Sequence, residues 1–528
     1  MRMTRKNREL KLIFGLIVVL FAAFLAGPIL LLLGKSVWNG GLTGEFYASV
    51  LAQDGFLAAL GNSFAVAATV LAFLLAYGVH YTRLPGRFKG FLRAAATLPM
   101  FLPTITYGFA IIYSFGKQGL ITRLLGRQLF DIYGFWGLMV GYVIYTIPVA
   151  FLLIHNTMGF VDKKTLTVSK VMGDGPLATF WIAVLRPLLG TLAGAFIQAF
   201  FLCFTDFGIP ASVGGGYKVI ATLLYNQMLG GIPDFNRGAV IAMLMLVPSI
   251  GSICILQLLE RFNIRYNRIS DAELRRNRLR DAGWGISGAA ASLGILSIFA
   301  VIFVVPMVEE WPYKTGFSLE HVQAVFSDGS LLAAYAHSLI MARSTLAAGY
   351  KRVIESIALV TNAIPGMVLG VAYLFLFSGT SLQNTLLLMI LCNVVHYFST
   401  PYLMIKNSLS KMNAGWETTA MLMGDSWLKT ILRVVTPNAR SSLIEVFSYY
   451  FINSMVTISA LIFIAGARTM VLTTMIKQLQ YVNRFNEVFV LSLLILATNL
   501  AAKALFAWLA GRGNSRIFNK RKREGIKQ

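Results

Sequence analysis

The sequence predicts an all-α membrane protein with about twelve transmembrane helices, arranged as two parallel six-helix repeats. Of its 528 residues, 57% are hydrophobic and 13% are charged, whereas about a quarter of the residues in a soluble globular domain are charged. Apolar runs of roughly twenty residues recur, and each is long enough to cross a hydrocarbon core of ~30 Å. The runs are continuous rather than alternating, which indicates helices. Residues 165–187 and 416–437 share one pattern, which indicates duplication.

The predicted spans fall into two groups of six. They cover residues 12–34, 57–81, 95–115, 134–156, 188–210 and 236–260, and then 284–308, 331–349, 354–377, 383–405, 438–464 and 486–510. The domains are therefore predicted at 1–260 and 284–510, joined by a basic linker at 261–283 and followed by a basic tail at 511–528. The first run has no small-residue cleavage site after it, so we expect a retained helix.

The net charge of +24 predicts membrane orientation rather than a nucleic-acid partner. Basic residues concentrate at 83–93, 261–280 and 512–527, which alternate with poorer loops. This is the positive-inside bias, and it places both termini in the cytoplasm. The same residues would attract anionic lipid headgroups.

The two halves align residue by residue. From Pro187 onward the offset is 250, so that Pro187 matches Pro437 and Phe235 matches Phe485. Upstream, Pro103, Gly108 and Phe115 match Pro365, Gly370 and Phe377 at an offset of 262. Six helices per copy give both copies one orientation. The second copy is 13 residues shorter near 337–349, and we have no physical account of this difference.

The repeated stretches lie in loops between apolar runs, where each is predicted to dock on a partner. Small residues give a short helix a smooth face that fits a groove, glycine permits a sharp turn, and proline suits the first turn of the next helix. The candidate docking residues are Ser169, Gly173, Asp174 and Pro187 in the first loop, and Glu417, Ala420, Gly424, Asp425 and Pro437 in the second. An ordinary interfacial helix is the alternative.

The second loop resembles the signature of permease subunits of binding-protein-dependent ABC importers. That signature is Glu-Ala-Ala, three residues, Gly, and about a dozen residues before Pro, and Glu417, Thr419, Ala420, Gly424 and Pro437 follow it. The first loop departs from it, with Thr167, Val168 and Ser169 in place of Glu-Ala-Ala and one extra residue before Pro187. The resemblance covers almost the whole chain and implies the type I permease fold.

Within that family, the chain is most similar to fused permeases of ferric-iron and 2-aminoethylphosphonate importers. Residues 204–227 and 456–466 look most like the aminoalkylphosphonate branch. The resemblance implies two copies of an ATPase subunit that carry ATP and Mg, an extracytoplasmic substrate-binding protein, and a bacterial inner-membrane location. The chain itself has no GxxxxGK[ST] phosphate loop, so no catalytic residue and no cofactor is predicted in it.

A pathway or gate is predicted around Asp206, the one acid deep in a predicted span. An ionisable group there is expensive and usually faces an aqueous cavity or pairs with a cation, although local capping is an equal alternative. The candidate pathway residues are Thr205, Asp206 and Phe207, with the counterparts Val456, Thr457 and Ser459. Lys218 and Arg468 are equivalent outer-loop charges, which attract an anion or the binding protein, or are simply solvated.

Two other classes of membrane protein compete with an importer permease. An ion-coupled secondary transporter with two six-helix halves needs several acids or broken helices at mid-membrane. Asp206 is the one acid that the sequence offers there. A non-transport scaffold is the third class. Cys203, Cys254 and Cys392 are predicted as buried apolar thiols, and the five scattered histidines predict no metal site.

Overall fold

The computed structural model describes residues 18–38, 41–52, 70–159, 161–259, 277–343, 364–410 and 427–524, and the single residues 15, 361, 419 and 423. Before the linker, helices α1 to α13 cover Gly27–Val37, Glu45–Leu51, Val70–His80, Gly86–Thr97, Thr104–Phe115, Leu120–Leu125, Phe135–Met158, Lys164–Val171, Pro176–Phe180, Arg186–Thr205, Gly208–Val213, Ile220–Leu229 and Phe235–Leu259. After it, helices α14 to α25 cover Arg278–Val304, Glu320–Ser327, Gly329–Arg343, Gly366–Phe377, Leu386–His396, Ser399–Ser410, Trp427–Thr430, Thr436–Asn438, Arg440–Val456, Leu461–Ile464, Leu472–Tyr481 and Phe485–Glu524.

Each of the twelve predicted spans contains a described helix, which confirms the helical membrane fold. By length and composition, the helices that can cross a membrane alone are Val18–Val37, Phe135–Met158, Pro176–Thr205, Phe235–Ser252, Arg278–Met307 and Phe485–Ala510. Two bent pairs bring the count to eight within the described residues, and they correspond to the predicted spans 95–115 and 383–405. The first pair bends by 113° and the second by 53°, so neither predicted span is a single straight helix.

A short β-hairpin departs from the predicted all-α architecture. Its strands, β1 (Val308–Glu310) and β2 (Lys314–Phe317), pair antiparallel between the predicted spans 284–308 and 331–349. The hairpin is an addition to the helical fold and leaves its class unchanged.

Both repeats contain a π-helical turn at the same place. The turns cover Trp181–Leu185 and Ile431–Val435, at the sequence offset of 250 that the repeat predicted. A proline follows two residues after each turn, namely Pro187 and Pro437. A proline ring clashes with the carbonyl four residues earlier. A wider turn relieves that clash, because the residue before each proline donates to the carbonyl five residues back.

The π turns correct one prediction about the loops. Pro187 was expected to start a membrane helix after a loop, whereas helix α9, the π turn and helix α10 form one helix over Pro176–Thr205. That helix has 30 residues, so its length is ~45 Å at 1.5 Å per residue. The predicted span 188–210 therefore begins too late and ends too late.

Contacts divide the chain into two compact units. The N-unit comprises Asn39–Ser327 and Leu479–Leu493, and the C-unit comprises Met1–Trp38, Asp328–Gln478 and Leu494–Gln528. Helix α1 therefore packs within the C-unit, where the Tyr373 hydroxyl donates to the Phe24 carbonyl at 2.6 Å. Helix α14 packs within the N-unit. This division by contact differs from the division by repeat, so the predicted domain boundaries stay a prediction.

Candidate functional site

The first predicted docking loop is a short helix, a glycine turn and a second helix. Ser169 lies in the last turn of helix α8. Its hydroxyl is hydrogen-bonded to the Asp174 carboxylate and to the Thr179 hydroxyl. Gly173 has φ +86°, a left-handed conformation that side chains disfavour. Three of the four predicted docking residues of this loop thus form its turn, while Pro187 lies in the helix that follows.

This loop exposes an apolar face. Leu177 on helix α9 is 85% exposed, and Val168, Val171 and Met172 at the end of helix α8 are also exposed. Grouped exposed apolar residues on a soluble surface usually mark an interaction site. We call these four residues the apolar loop face.

The second loop is described in part. Glu417, Ala420, Gly424 and Asp425 lie outside the described residues, so their predicted docking role stays a prediction. Met423 is exposed. Pro437 occupies the start of helix α21, directly after the π turn.

Asp206 lies at a helix break rather than deep inside a helix. Helix α10 ends at Thr205, and Asp206 follows it in an extended conformation with 7% of its surface exposed. Its carboxylate accepts the Ile209 backbone N–H at 2.9 Å and a hydrogen bond from the Thr104 side chain. The predicted placement of Asp206 inside a helix is wrong, because the chain leaves the helix at this residue, where the carboxylate accepts hydrogen bonds from backbone groups.

The counterpart of Asp206 in the second repeat is Thr457. The offset of 250 predicted Val456, but helix α22 continues through Val456 and Thr457 is its first extended residue. The backbone angles agree: φ −75° and ψ 137° at Asp206, φ −69° and ψ 130° at Thr457. The Thr457 hydroxyl is hydrogen-bonded to the Tyr397 hydroxyl. Hence one repeat places a carboxylate at the break, and the other a neutral hydroxyl.

The remaining predicted pathway residues flank the two breaks. Phe207 is buried against Tyr225, with ring centroids 4.6 Å apart. The Thr205 hydroxyl donates to the Phe201 carbonyl within its own helix. Ser459 lies beside the start of helix α17, where a Cβ added to Gly366 would be 2.5 Å from the Ser459 hydroxyl oxygen.

Each break packs closely against a proline-started helix in its own unit. In the N-unit, a Cβ on Gly108 of helix α5 would lie 2.4 Å from the Ser212 Cβ. In the C-unit, a Cβ on Gly370 of helix α17 would lie 2.4 Å from the Ala460 carbonyl oxygen. Glycine is therefore required at both repeat-equivalent positions by space alone.

The predicted outer-loop charges are exposed in both units. Lys218 follows helix α11 in the N-unit, and Arg468 follows helix α23 in the C-unit. Their exposure is compatible with either predicted role.

Sequence reasoning missed a set of polar residues near the C-unit break. Asn393 and His396 end helix α18, and Lys477 lies in helix α24 with 6% of its surface exposed. His396 and Lys477 carry weak sequence signals, because a histidine or lysine in an apolar stretch is uncommon. The approach of His396 and Ser459 to Gly366 depends on tertiary structure. The described residues contain no group of three or more metal-ligating side chains.

The fold and the loops define a class: a multi-pass, two-repeat helical membrane protein. Residues 336–513 match the family described as binding-protein-dependent transport system inner membrane component. The similarity to known proteins extends along the chain. The ferric transport system permease protein FbpB of Actinobacillus pleuropneumoniae is 21% identical over 94% of this chain and 77% of its own length.

Two further relatives agree with this assignment. FbpB 1 of Haemophilus influenzae, named as a ferric transport system permease protein, is 23% identical over 86% of this chain and 78% of its own length. The molybdenum transport system permease protein ModB of Azotobacter vinelandii is 28% identical over 30% of this chain and 73% of its own length. All three relatives are named as permease proteins of transport systems, and this chain is similar to binding-protein-dependent inner-membrane permeases, with both halves in one polypeptide.

Proposed function

We propose that the chain forms the translocation pathway of an ABC importer and couples to two separate ATPase subunits through its two loops. The apolar loop face carries this proposal, because Val171, Met172 and Leu177 are exposed on short helices that nothing in the N-unit covers among the described residues. A partner groove would remove this apolar surface from water. The permease family supports an ATPase as the partner.

The proposed orientation places both loops and both termini in the cytoplasm. The basic residues at 83–93 and 261–280 support it through the positive-inside bias. An extracytoplasmic binding protein would then dock on the opposite side, where Lys218 and Arg468 lie. ATP hydrolysis belongs to the partner subunits, and this chain would convert their closure into movement of its helices.

Ferric iron is the proposed substrate. The two relatives that match most of the chain are both named for ferric transport. A small oxyanion such as 2-aminoethylphosphonate is the second candidate, because residues 204–227 and 456–466 resemble that branch of the family.

Capture of the ATPase subunit tests the coupling role. Leu177→Asp would place a charge in the docking face, and we expect it to abolish co-purification of the ATPase while membrane insertion is retained. Ile232→Asp is the matched control, since Ile232 is 92% exposed in the loop before helix α13, on the side proposed to be external. The reverse pattern, with capture lost only in Ile232→Asp, would reject the proposed orientation. Uptake by the chain without any ATPase would favour the ion-coupled transporter instead.

A further inference from the structure

The β-hairpin begins where a candidate membrane span ends. The span over Arg278–Met307 contains helix α14, and strand β1 starts at Val308, the next residue. A chain that leaves the hydrocarbon core enters the headgroup layer first. The hairpin therefore starts at the surface of the bilayer, at the end of helix α14 that lies opposite the basic linker at 261–283.

Contacts within the N-unit hold the hairpin in place. The Ser318 backbone N–H donates to the Met307 carbonyl at 3.0 Å, which ties the hairpin to the end of the span. Arg123 of helix α6 donates from its Nη1 to the Pro312 carbonyl at 2.8 Å. The guanidinium carbon of Arg123 also lies 5.6 Å from the centre of the Trp311 ring, a distance at which a cation is attracted to an aromatic face. The turn of the hairpin and helix α6 are therefore adjacent.

Both of these elements expose large apolar side chains. On the hairpin, Tyr313 is 78% exposed and Phe317 is 74% exposed. On helix α6, Leu124 is 77% exposed and Leu125 is exposed as well. Because the two elements touch at the turn, we treat these four side chains as one group and call it the hairpin patch. Grouped apolar side chains on a surface usually mark contact with a protein or a membrane.

The hairpin patch adjoins a surface that faces lipid. Phe303, Val304 and Met307, at the end of the same span, are exposed too. Exposed apolar side chains on a membrane span meet the hydrocarbon core, which holds no water. Lipid is therefore the occupant that continuity with the span favours for the hairpin patch.

The residue types suit the headgroup layer. Tryptophan and tyrosine are enriched at membrane–water interfaces because their rings combine an apolar body with a polar tip, and the turn contains both Trp311 and Tyr313. The exposed charges nearby are of both signs, namely Glu309, Glu310, Lys314 and Arg123. Attraction to anionic lipid needs a cluster of basic residues, so burial of apolar surface, rather than charge, would hold the patch in this layer.

We propose that the hairpin patch inserts into the phospholipid headgroup layer and anchors the end of helix α14 at the bilayer surface. Helix α14 packs within the N-unit, so the anchor fixes the depth of that unit in the membrane. This inference goes beyond the proposed coupling role and rests on the membrane fold. The proposed orientation adds only that the layer is the external one.

Fluorescence quenching of the full chain in lipid nanodiscs tests the proposal. Thr315→Cys, between the two exposed aromatic residues of the hairpin, carries an environment-sensitive dye. The background is Cys254→Ser, because Cys254 is exposed whereas Cys203 and Cys392 are buried. We expect a blue shift of the dye emission, strong quenching by lipids with a nitroxide near the headgroup, and loss of quenching by iodide in the water.

Ile232→Cys in the same background is the matched control, since Ile232 is 92% exposed in a turn between two glycines and a proline. Its dye should be quenched by iodide and not by the nitroxide lipids. The same result at position 315 would overturn the proposal. Protection from iodide without quenching by the nitroxide lipids would also overturn it, because protein rather than lipid would then cover the patch.

A pair of substitutions separates anchoring from folding. Phe317 is largely exposed, so Phe317→Asp removes no core contact. With the dye at position 315, we expect Phe317→Asp to lower the quenching by nitroxide lipids and to restore quenching by iodide. Phe317→Trp should keep the original pattern, because tryptophan suits the same layer. An unchanged pattern in Phe317→Asp would contradict the role of the patch.

The outcome is independent of the proposed function. Nanodiscs leave both faces of the membrane open, so a reversed orientation of the chain would leave the quenching pattern intact. Neither readout needs an ATPase subunit, so failure of the coupling role and failure of the anchor are recognised separately.

Discussion

The close contact between each helix break and its proline-started helix gives the sharpest test of the packing. We expect Gly370→Ala to destabilise the protein, because the new Cβ would lie 2.4 Å from the Ala460 carbonyl oxygen and 3.0 Å from its Cα. The obstacle is backbone, so no rotamer change relieves it. Overpacking of this kind costs about 1–3 kcal/mol, which exceeds the ~0.5–1 kcal/mol that alanine gains over glycine in a helix.

The N-unit offers a version of this experiment that can be reversed. Gly108→Ala would bring its Cβ within 2.4 Å of the Ser212 Cβ, so it should be destabilising by a similar amount. Here the obstacle is a side chain, and Ser212→Gly in the same protein should restore most of the loss. The double-mutant cycle isolates this contact, since the single changes share it.

Thermal unfolding of the detergent-solubilised protein, followed by tryptophan fluorescence, measures these effects. Each kcal/mol corresponds to a shift of ~2–4 °C for domains of 150–250 residues. Gly294→Ala in helix α14 is the control, because nothing lies within 4 Å of its added Cβ. The reasoning is refuted if Gly370→Ala is as stable as Gly294→Ala, or if Ser212→Gly fails to rescue Gly108→Ala.

Three further predictions concern the break, the loop and the buried lysine. Asp206→Asn should cost about 1–3 kcal/mol of stability and reduce uptake more than assembly, since the amide has no negative charge and its nitrogen cannot accept a hydrogen bond. Wild-type uptake kinetics would remove Asp206 from the pathway. Gly173→Val should weaken ATPase capture, because a β-branched residue at φ +86° costs about 1–3 kcal/mol, whereas Gly175→Ala, at φ −65° with open space around its Cβ, should not. Desolvation lowers the pKa of Lys477 to about 8, so its charge is present below that pH and lost as the pH rises. Uptake that uses this charge should fall between pH 7 and 9, and uptake by Lys477→Met should be flat over the same range.

Sequence offsets predicted the scaffold accurately where a residue type constrains the backbone. Pro103 and Pro365 directly precede two helices of 12 residues each. Phe115 and Phe377 are the last residues of those helices. Phe235 and Phe485 both begin helices, as the offset of 250 requires. Proline acts through local sterics, so its effect can be seen in the sequence alone.

Other features depend on contacts that the sequence does not display. Pro103 marks where the predicted span 95–115 breaks, but it does not give the angle of 113° between the two helices that meet there. Helix α22 ends at Val456, one residue later than the end of helix α10 at Thr205 predicts from the offset of 250. The second break is therefore displaced by one residue. The polar residues Asn393, Ser459 and Lys477 could not be grouped from the sequence for the same reason, since they lie in three separate helices or loops.

The divergence between the repeats is concentrated where the fold permits it. Glycine recurs at positions 108 and 370 because neighbouring atoms leave no space for a Cβ, and the π turns recur before Pro187 and Pro437 because each proline demands them. The residues at the two breaks are free of that demand, and there the repeats differ in charge. In one repeat the Asp206 carboxylate accepts the Ile209 backbone N–H, and in the other the neutral Thr457 hydroxyl pairs with the Tyr397 hydroxyl. A duplicated fold can therefore keep two halves with similar backbones while the side chains at their breaks differ in charge.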